Sequence, residues 1–232
     1  MNIILSCEHA AATIPAEYAE LFAGAGYALE SHLGYDIGAQ AVAQELEALA
    51  EAAFYGGCSR LLIDLNRSLR HPELFSTFSR HLPRQEKERI VADWYTPFRK
   101  NVLEAVDSAI ARHGEVLHLS LHSFTPVLEG VARTADIGIL YDPARHREKE
   151  MGRKLAAVLR ELQPELKVRM NTPYRGTADG HTTALRRRFS SEQYLGIELE
   201  VNQRLIGDER SRQTVGRLLL TGLKRAGLGR TE

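Results

Sequence analysis

The sequence predicts an α/β fold in which a layered sheet carries helices on both faces, within one domain over residues 1–232. Short apolar runs alternate with longer amphipathic segments, and that alternation is typical of such folds. The composition, 44% hydrophobic and 26% charged, is that of a globular protein, and 232 residues can bury a self-sufficient core. Neither an internal repeat nor a Pro/Gly/Ser-rich linker divides the chain.

In the first half of the chain, the alternation of apolar and amphipathic segments predicts two strands and two helices. Residues 3–7 form an apolar run that predicts a buried strand, and residues 61–65 form another. Residues 36–55 are Ala-rich with apolar side chains at helical spacing, which predicts a helix. A second helix is predicted over 86–112, where Pro97 can introduce a kink.

The second half alternates in the same way. Residues 116–122 alternate apolar and polar side chains with period two, which predicts a strand with one polar face. A short strand is predicted over 137–141, an amphipathic helix over 147–162, a strand over 194–201 and a closing helix over 208–226.

Charge and composition exclude several classes of function. Thirty basic residues balance thirty acidic ones, so the surplus of Lys and Arg that non-specific nucleic-acid binding needs is missing. No apolar run reaches the roughly 18 residues of a membrane span, and the first residues lack the basic segment of a signal peptide. Cys7 and Cys58 form neither a disulfide framework nor a CxxC pair. We therefore expect a cytoplasmic protein; without sustained heptads the sequence does not indicate an oligomeric state.

Polar and ionisable side chains gather at the predicted strands' ends. Ligands of α/β sheets bind at the carboxyl ends of strands, so several such side chains together predict a site. They are Glu8 and His9 after the first strand, Asn66 and Arg67 after the second, His122 and Ser123 after the third, and Glu198 and Glu200 in the last.

Two histidines are candidate metal ligands. Glu8 and His9 offer a carboxylate and an imidazole, both of which ligate zinc, although such a pair can also cap a loop. His118 and His122 share one face of their strand but stand about 13 Å apart along it, so only one can ligate a given metal. The strand-end position favours His122, and without an HExxH or Cys cluster the metal signal is dispersed.

Two glutamates and several arginines are candidates for catalysis and binding. Glu198 and Glu200 lie on one face of a strand, about 7 Å apart, where one can act as a general base, or both can be solvated on an edge strand. Arg67, Arg133 and Arg175 carry the guanidinium group that grips carboxylates bidentately. Arg175 also belongs to a polar segment, residues 171–183, that is predicted to form a substrate loop.

The chain resembles the N-formylglutamate amidohydrolase family. The likeness runs in family order from near residue 6 to near residue 203. The segments that carry it are Ser6-Cys7-Glu8-His9-Ala10 with Ile14-Pro15, Ser59-Arg60, Asp64-Leu65-Asn66-Arg67, His122-Ser123, Asn171-Thr172-Pro173-Tyr174-Arg175-Gly176 and Glu198-Leu199-Glu200-Val201-Asn202-Gln203.

The resemblance implies a zinc-dependent hydrolase acting on a linear amide. It implies a three-layer αβα architecture with a mixed, mostly parallel sheet, similar to the zinc carboxypeptidases and their phosphorylase/hydrolase-like fold. The family's best-known members cleave N-formyl-L-glutamate to formate and L-glutamate, the last step of one route of histidine degradation. One Zn²⁺ or another divalent ion per chain, and a small acyl amino acid as the partner, are the corresponding expectations.

The family's site residues carry over position by position. His9 and His122 match its two histidines and would ligate the metal. Asp36 matches an acidic position and would complete the site, unless it only caps a helix; Glu8 is the rival third ligand. Glu200 matches the family's strand glutamate and would be the general base.

The remaining site residues would bind the substrate. Arg67 would stabilise the oxyanion or hold a substrate carboxylate, Asn66 would orient the substrate, and Arg133 is a secondary carboxylate ligand. Glu8 and Glu198 depart from the better-known members, which have an apolar or Pro residue and a neutral amide there. Another N-acyl amino acid, a peptide-like amide, or a non-catalytic binding role on the same fold therefore remain alternatives.

Overall fold

A six-stranded mixed sheet forms the middle layer of the protein, in a computed structural model that describes residues 1–229. Its strands and those of a separate hairpin are β1 (Ile3–Cys7), β2 (Ala50–Tyr55), β3 (Val116–Phe124), β4 (Val127–Leu128), β5 (Val131–Ala132), β6 (Ile137–Leu140), β7 (Val168–Met170) and β8 (Tyr194–Asn202). The order in the sheet is β2-β1-β3-β8-β6-β7, and β4 pairs with β5 apart from it.

Most neighbouring strands of the sheet run parallel. β2, β1, β3 and β8 are mutually parallel, whereas β6 runs antiparallel to β8 and parallel to β7. The carboxyl ends of β1, β3 and β8 therefore meet at one edge of the sheet. In this register His122 lies beside Glu200, and Ser120 lies between Ser6 and Glu198.

Helices cover both faces of the sheet. They are α1 (Gly26–Leu29), α2 (Ala39–Leu46), α3 (Arg84–Ile90), α4 (Thr96–His113), α5 (His146–Leu162), α6 (His181–Arg186) and α7 (Glu209–Arg225). Leu117, Leu119 and Leu121 of β3 belong to a core that includes residues of α2, α5 and α7, while Val116 belongs to a second core shared with α4. The predicted three-layer α/β architecture with a mixed, mostly parallel sheet is confirmed.

The helix predicted over 36–55 is wrong at both ends. Its N-cap is Gly38, in the left-handed conformation at φ 78°, and the side chain of Asp36 is turned away toward His122. The helix ends at Leu46 and a short 3₁₀ turn leads into β2, which pairs with β1. Pairing along a sheet edge outweighs the intrinsic helix propensity of the alanines here.

The strand predicted over 61–65 is also wrong. The segment forms turns, in which Leu62 N–H bonds the carbonyl of Ser59 and Asp64 N–H bonds the carbonyl of Leu74. Leu62 is buried in the second core, so the apolar run reflects burial rather than strand pairing.

Other elements differ from the prediction in detail. The helix predicted over 86–112 is α3, a π-helical turn at Val91–Tyr95, and α4, with Pro97 in the first turn of α4. The short strand β7 was not predicted, and α6 occupies the end of the predicted polar loop.

Within residues 1–229, the structure contains no helix that is both long and apolar enough to span a bilayer.

Candidate active site

A cavity of about 500 Å³ opens at the edge where β1, β3 and β8 end. It collects side chains from the strand ends, from the turns after β2 and from the segment before α6. The lining residues are His9, Asp36, Arg60, Asn66, Arg67, His122, Ser123, Tyr174, Arg175, Thr177, Ala178, Asp179, Glu198 and Glu200.

His9 lines the cavity, with one ring nitrogen hydrogen-bonded and the other without a hydrogen-bond partner. Its Nε2 lies 2.7 Å from Oδ1 of Asp64, whose second oxygen contacts Arg60 at 3.1 Å. Its Nδ1 is buried without a hydrogen-bond partner, 3.5 Å from Oδ2 of Asp36. Because a carboxylate only accepts, Nε2 of His9 carries the proton, and in the neutral ring Nδ1 presents a lone pair.

Asp36 lies between the two histidines. Its Oδ2 is 2.9 Å from Nδ1 of His122 and also accepts the backbone N–H of Ser123. Its backbone N–H bonds the carbonyl of His9, which fixes the segment against the end of β1. Burial would raise the pKa of Asp36, but the charges and hydrogen bonds of His9 and His122 hold it well below the usual range.

The pKa of His122 is raised by the same contacts. Burial alone would lower it, but the hydrogen bond and charge of Asp36, together with the charges of Glu8 and Glu200, raise it to about 10. The ring lies 5.2 Å from that of His9, centroid to centroid.

The residues present fit a divalent metal of the zinc type. One potential ligand atom from each of His9, Asp36 and His122 lies within 4.8 Å of the other two. Two imidazoles and one carboxylate, with a further position open to the cavity, are a common donor set of catalytic zinc. The unpartnered Nδ1 of His9 is the observation that a metal would explain, since a buried nitrogen without a partner is otherwise costly.

Glu8 lies beneath this group rather than in the cavity lining. Its carboxylate is wholly buried and accepts hydrogen bonds from Ser6, Ser120 and His181. Oε2 of Glu8 lies 3.4 Å from Nε2 of His122, on the side of the ring away from Asp36. The geometry thus groups Asp36, and not Glu8, with His9 and His122 around one potential metal position.

Glu200 lines the same cavity with a free carboxylate oxygen. The residue is buried, and its Oε2 has no hydrogen-bond partner. Burial raises the pKa of Glu200 to about 8; His122 opposes that shift, and Asp36 and Glu198 add to it. A carboxyl group with a pKa near neutrality can exchange protons with a substrate or a water molecule.

Asn66 and Arg67 are held by neighbouring segments. Asn66 Oδ1 accepts the backbone N–H of His181 at 2.7 Å, which leaves its side-chain amide nitrogen as a donor. Arg67 donates to the carbonyl of Asp179, and its own carbonyl accepts the hydroxyl of Tyr95 from the π-helical turn.

The other predicted binding residues divide into two groups. Arg175 and Glu198 line the cavity, and Glu198 accepts the hydroxyl of Thr182. Arg133 lies outside the lining. Its guanidinium packs 5.1 Å from the ring centre of Tyr174 and donates to the Tyr174 hydroxyl at 3.0 Å, so it contacts a lining residue instead of the cavity.

The sequence patterns assign no role to two charged residues of the site. Asp64 orients His9, and Arg60 lines the cavity and contacts both Asp64 and Asp36. Both belong to segments that carry the family resemblance, which is the signal that points to them. His181, which contacts Glu8 from within the predicted polar loop, is a third residue without a predicted role.

The family model described as N-formylglutamate amidohydrolase matches residues 1–207. Comparison with curated proteins gives no match.

Several solved structures, among them the following three, are similar over almost the whole chain. Gene product Atu2144 from Agrobacterium tumefaciens is 31% identical with a TM-score of 0.84, covering 97% of this chain and 90% of that one. N-formylglutamate amidohydrolase from Ralstonia eutropha JMP134 is 21% identical with a TM-score of 0.72, covering 98% and 93%. A metallo-carboxypeptidase from Burkholderia cenocepacia is 10% identical with a TM-score of 0.44, covering 97% and 56%.

Proposed function

The chain belongs to the N-formylglutamate amidohydrolase family, and on that premise we propose that it hydrolyses the amide bond of an N-acyl amino acid with one divalent metal ion, zinc, per chain. N-formyl-L-glutamate, cleaved to formate and L-glutamate, is the first substrate we propose. A role in histidine degradation, which the family resemblance implies, and a cytoplasmic location, which the composition predicts, stay predictions.

One observation carries the proposal. Among the described residues, three buried side-chain atoms lack a hydrogen-bond partner, and two of them, Nδ1 of His9 and Oε2 of Glu200, belong to residues that line this cavity. Unpartnered buried polar atoms are costly and uncommon. A metal ion explains the first and a reacting proton the second, so together they support hydrolysis better than passive binding.

The metal would be held by Nδ1 of His9, a carboxylate oxygen of Asp36 and Nδ1 of His122. Asp64 behind His9 supplies the carboxylate that commonly orients a metal-binding histidine. When bound, zinc lowers the pKa of a water molecule toward neutrality and polarises the carbonyl of the amide.

Glu200 would move the proton. With a pKa near neutrality, its carboxylate form takes a proton from the attacking water, and the acid form delivers it to the departing amine. Its burial excludes bulk water from the carboxylate, which keeps this proton available to the leaving group.

Arginine and amide groups would orient the substrate. Arg67 and Arg175 offer guanidinium donors for a substrate carboxylate or for the developing oxyanion, and Asn66 offers an amide donor. Arg133 would act through Tyr174, whose ring and hydroxyl it holds at the cavity wall.

The test measures the metal content and the formate released from N-formyl-L-glutamate, before and after chelation and after zinc is added back. We expect about one zinc per chain and chelator-sensitive formate release. Zinc without formate release would redirect the proposal to another acyl substrate. Neither zinc nor activity would contradict it and favour a binding role.

A second candidate keeps the chemistry and changes the substrate, and Glu198 favours it. The carboxylate of Glu198 lies in the cavity, and no arginine, lysine or histidine nitrogen of residues 1–229 lies within 4.0 Å of it. A carboxylate repels a second carboxylate and accepts donors. An N-acyl amino acid with an ammonium or amide side chain would satisfy it.

A pair of formyl amino acids distinguishes the two candidates. If Glu198 contacts a donor of the substrate, Glu198→Gln should lower kcat/KM for N-formyl-L-lysine about tenfold or more relative to N-formyl-L-glutamate. An unchanged ratio would remove Glu198 from substrate selection and leave N-formyl-L-glutamate as the better candidate.

A further inference from the structure

A buried polar cluster lies directly beneath the candidate metal site. Its members are Ser6, Glu8, His118, Ser120 and His181, and each is at most 1% exposed. Buried polar groups are costly unless they are fully hydrogen-bonded, so the pattern of donors and acceptors in this cluster is informative.

Three hydrogen bonds of the cluster converge on Glu8. Oε1 of Glu8 lies 2.8 Å from the hydroxyl of Ser6 and 2.9 Å from Nδ1 of His181, and Oε2 lies 2.7 Å from the hydroxyl of Ser120. Each oxygen of Glu8 accepts a serine hydroxyl, which is the arrangement of an ionised carboxylate. A carboxylate only accepts, and therefore all three neighbours donate to it.

Because Ser120 donates to Glu8, the direction of the hydrogen bond between Ser120 and His122 is also determined. Ser120 uses its one proton on Glu8, so its oxygen accepts from Nε2 of His122 at 2.9 Å. Nδ1 of His122 donates to Asp36, so the ring holds a proton on each nitrogen. A metal would displace the Nδ1 proton, whereas Nε2 keeps the proton that Ser120 accepts, and the neutral ring then carries its lone pair on Nδ1. We propose that Glu8 is a positioning residue that, through Ser120, fixes the tautomer of His122 and so presents Nδ1 to the metal.

His9 is oriented in the same way, but its carboxylate partner contacts the ring directly. Asp64 accepts directly from Nε2 of His9 at 2.7 Å and leaves Nδ1 of that ring free. Each histidine of the site thus has a carboxylate behind its Nε2, one in contact and one through a serine. The inference rests on the proposed metal site and does not depend on the substrate.

The hydrogen bonds on the side of Glu8 away from His122 also run toward Glu8. Ser6 donates to Glu8, so it accepts from Nε2 of His118, whose Nδ1 accepts the hydroxyl of Tyr194. Burial lowers the pKa of His118 to about 3 and raises that of Tyr194, so the ring is neutral and the phenol keeps its proton. With both nitrogens of His118 and both oxygens of Glu8 engaged, the cluster serves as a hydrogen-bond network and not as a second metal site.

Replacing Glu8 by glutamine tests the direction while conserving the shape. If the new amide nitrogen faces Ser120, it donates, and the serine proton turns to Nε2 of His122, which forces the proton of the neutral ring onto Nδ1. If the amide nitrogen instead faces Ser6 and His181, it meets two groups that also donate, and these hydrogen bonds are lost. We expect Glu8→Gln to weaken zinc binding about 10- to 100-fold.

The experiment measures zinc affinity by competition with a chelator and follows imidazole N–H signals by NMR of the ¹⁵N-histidine-labelled, zinc-loaded protein. The unaltered protein should show a slowly exchanging Nε2–H of His122, and Glu8→Gln should lose it. Glu148→Gln is the matched control. Glu148 is equally buried, beside Arg186 and away from His9 and His122, so its loss should lower stability and change zinc affinity less than twofold.

Ser120→Ala keeps the inference testable if Glu8→Gln does not fold. Glu8 lies 3.4 Å from His122 and can partly replace the serine, so we expect a few-fold weaker affinity and a shifted Nε2–H frequency. Equal zinc affinity and an unchanged His122 signal in the folded variants would overturn the inference alone. Absence of zinc binding by the unaltered protein would overturn the proposed function as well.

Discussion

The two candidate histidine ligands are each oriented by hydrogen bonds to residues that would not themselves bind the metal. His9 is held by Asp64 at 2.7 Å, and His122 is held by Ser120 at 2.9 Å with Glu8 behind it. A ring that is already oriented loses little freedom when it binds a metal. We therefore expect the two carboxylates, Asp64 and Glu8, to contribute to metal affinity, although neither lines the cavity.

Replacement of one carboxylate oxygen tests the role of Glu200. Glu200→Gln keeps the size of the side chain and removes its ability to accept and return a proton. We expect turnover to fall about 10²- to 10⁴-fold while zinc content and fold are kept, because general acid–base catalysis contributes about that much. Steady-state kinetics with the substrate that the formyl amino acid assay identifies, alongside metal analysis, checks this.

Glu51 provides a control for that substitution. It too has a buried, unpartnered Oε2, but it lies on β2 beside Arg112 and His113 and is not part of the cavity lining. Glu51→Gln should leave turnover unchanged. A Glu200→Gln enzyme with near-normal turnover would contradict the proposed proton transfer.

Sequence patterns predict site residues at strand ends better than site residues in irregular segments. His9, His122 and Glu200 follow or occupy strands that the apolar pattern predicts, and parallel pairing brings them together. Arg60 and Asp64 lie in turns, where neither periodicity nor a strand end marks them, and only the tertiary structure places them beside His9. The contact of Arg133 with Tyr174 likewise depends on loop positions that spacing does not encode.

At the scale of elements, the antiparallel pairing of β6 with β8 supports the strand that carries Glu200. Gly138 of β6 lies beside Glu200, and a Cβ there would stand 2.0 Å from the carbonyl oxygen of Thr172 and 3.1 Å from Cβ of Glu200. The backbone must therefore shift to accept any side chain at Gly138. This close approach holds the segment after β7 against β8, the strand that carries Glu200.

Gly138→Ala should consequently destabilise the protein by about 1–3 kcal/mol, the usual cost of overpacking, and should reduce turnover by displacing Glu200. Denaturant unfolding measures the first effect. Gly207→Ala is the control, because nothing lies within 4 Å of its added Cβ. Equal stability of the two variants would show that Thr172 can move away at little cost.

The two elements that were predicted wrongly have a common physical cause. Residues 50–55 are Ala-rich and would suit a helix, yet they form the edge strand β2 because β1 offers them a partner. Residues 61–65 are apolar like a strand, yet they fill the second core from a turn. Local composition reports burial and propensity, whereas pairing depends on which neighbour the fold supplies.

At the scale of the whole molecule, the buried titratable groups make stability depend on pH in two opposing ways. Burial lowers the pKa of His118 to about 3 and of His181 to about 4, so unfolding takes up protons below their ordinary value of 6.5. Glu200, raised by burial to about 8, and His122, raised against burial by Asp36 to about 10, release protons on unfolding above their ordinary values of 4.5 and 6.5. Stability rises with pH wherever the unfolded state binds more protons.

The balance of these protons gives the metal-free protein a stability maximum near pH 6. At pH 5 the two protons that His118 and His181 gain on unfolding outweigh the one that Glu200 loses, so stability falls as the pH is lowered. At pH 7 the losses from Glu200 and His122 outweigh the small gains, so stability falls as the pH is raised. One proton corresponds to about 1.4 kcal/mol per pH unit, so we expect a decline of about 1 kcal/mol within one unit on either side.

Chemical denaturation in the presence of a chelator, from pH 4.5 to pH 8, measures this curve. Glu200→Gln removes one of the two groups that lower stability above pH 6 and should move the maximum upward by about half a pH unit or more. Zinc, by engaging His122 in its neutral form, should remove the contribution of that ring and stabilise the protein across the range. A metal-free protein whose stability rises steadily from pH 6 to pH 8 would contradict the raised pKa values of Glu200 and His122, and with them the account of how the cavity holds its protons.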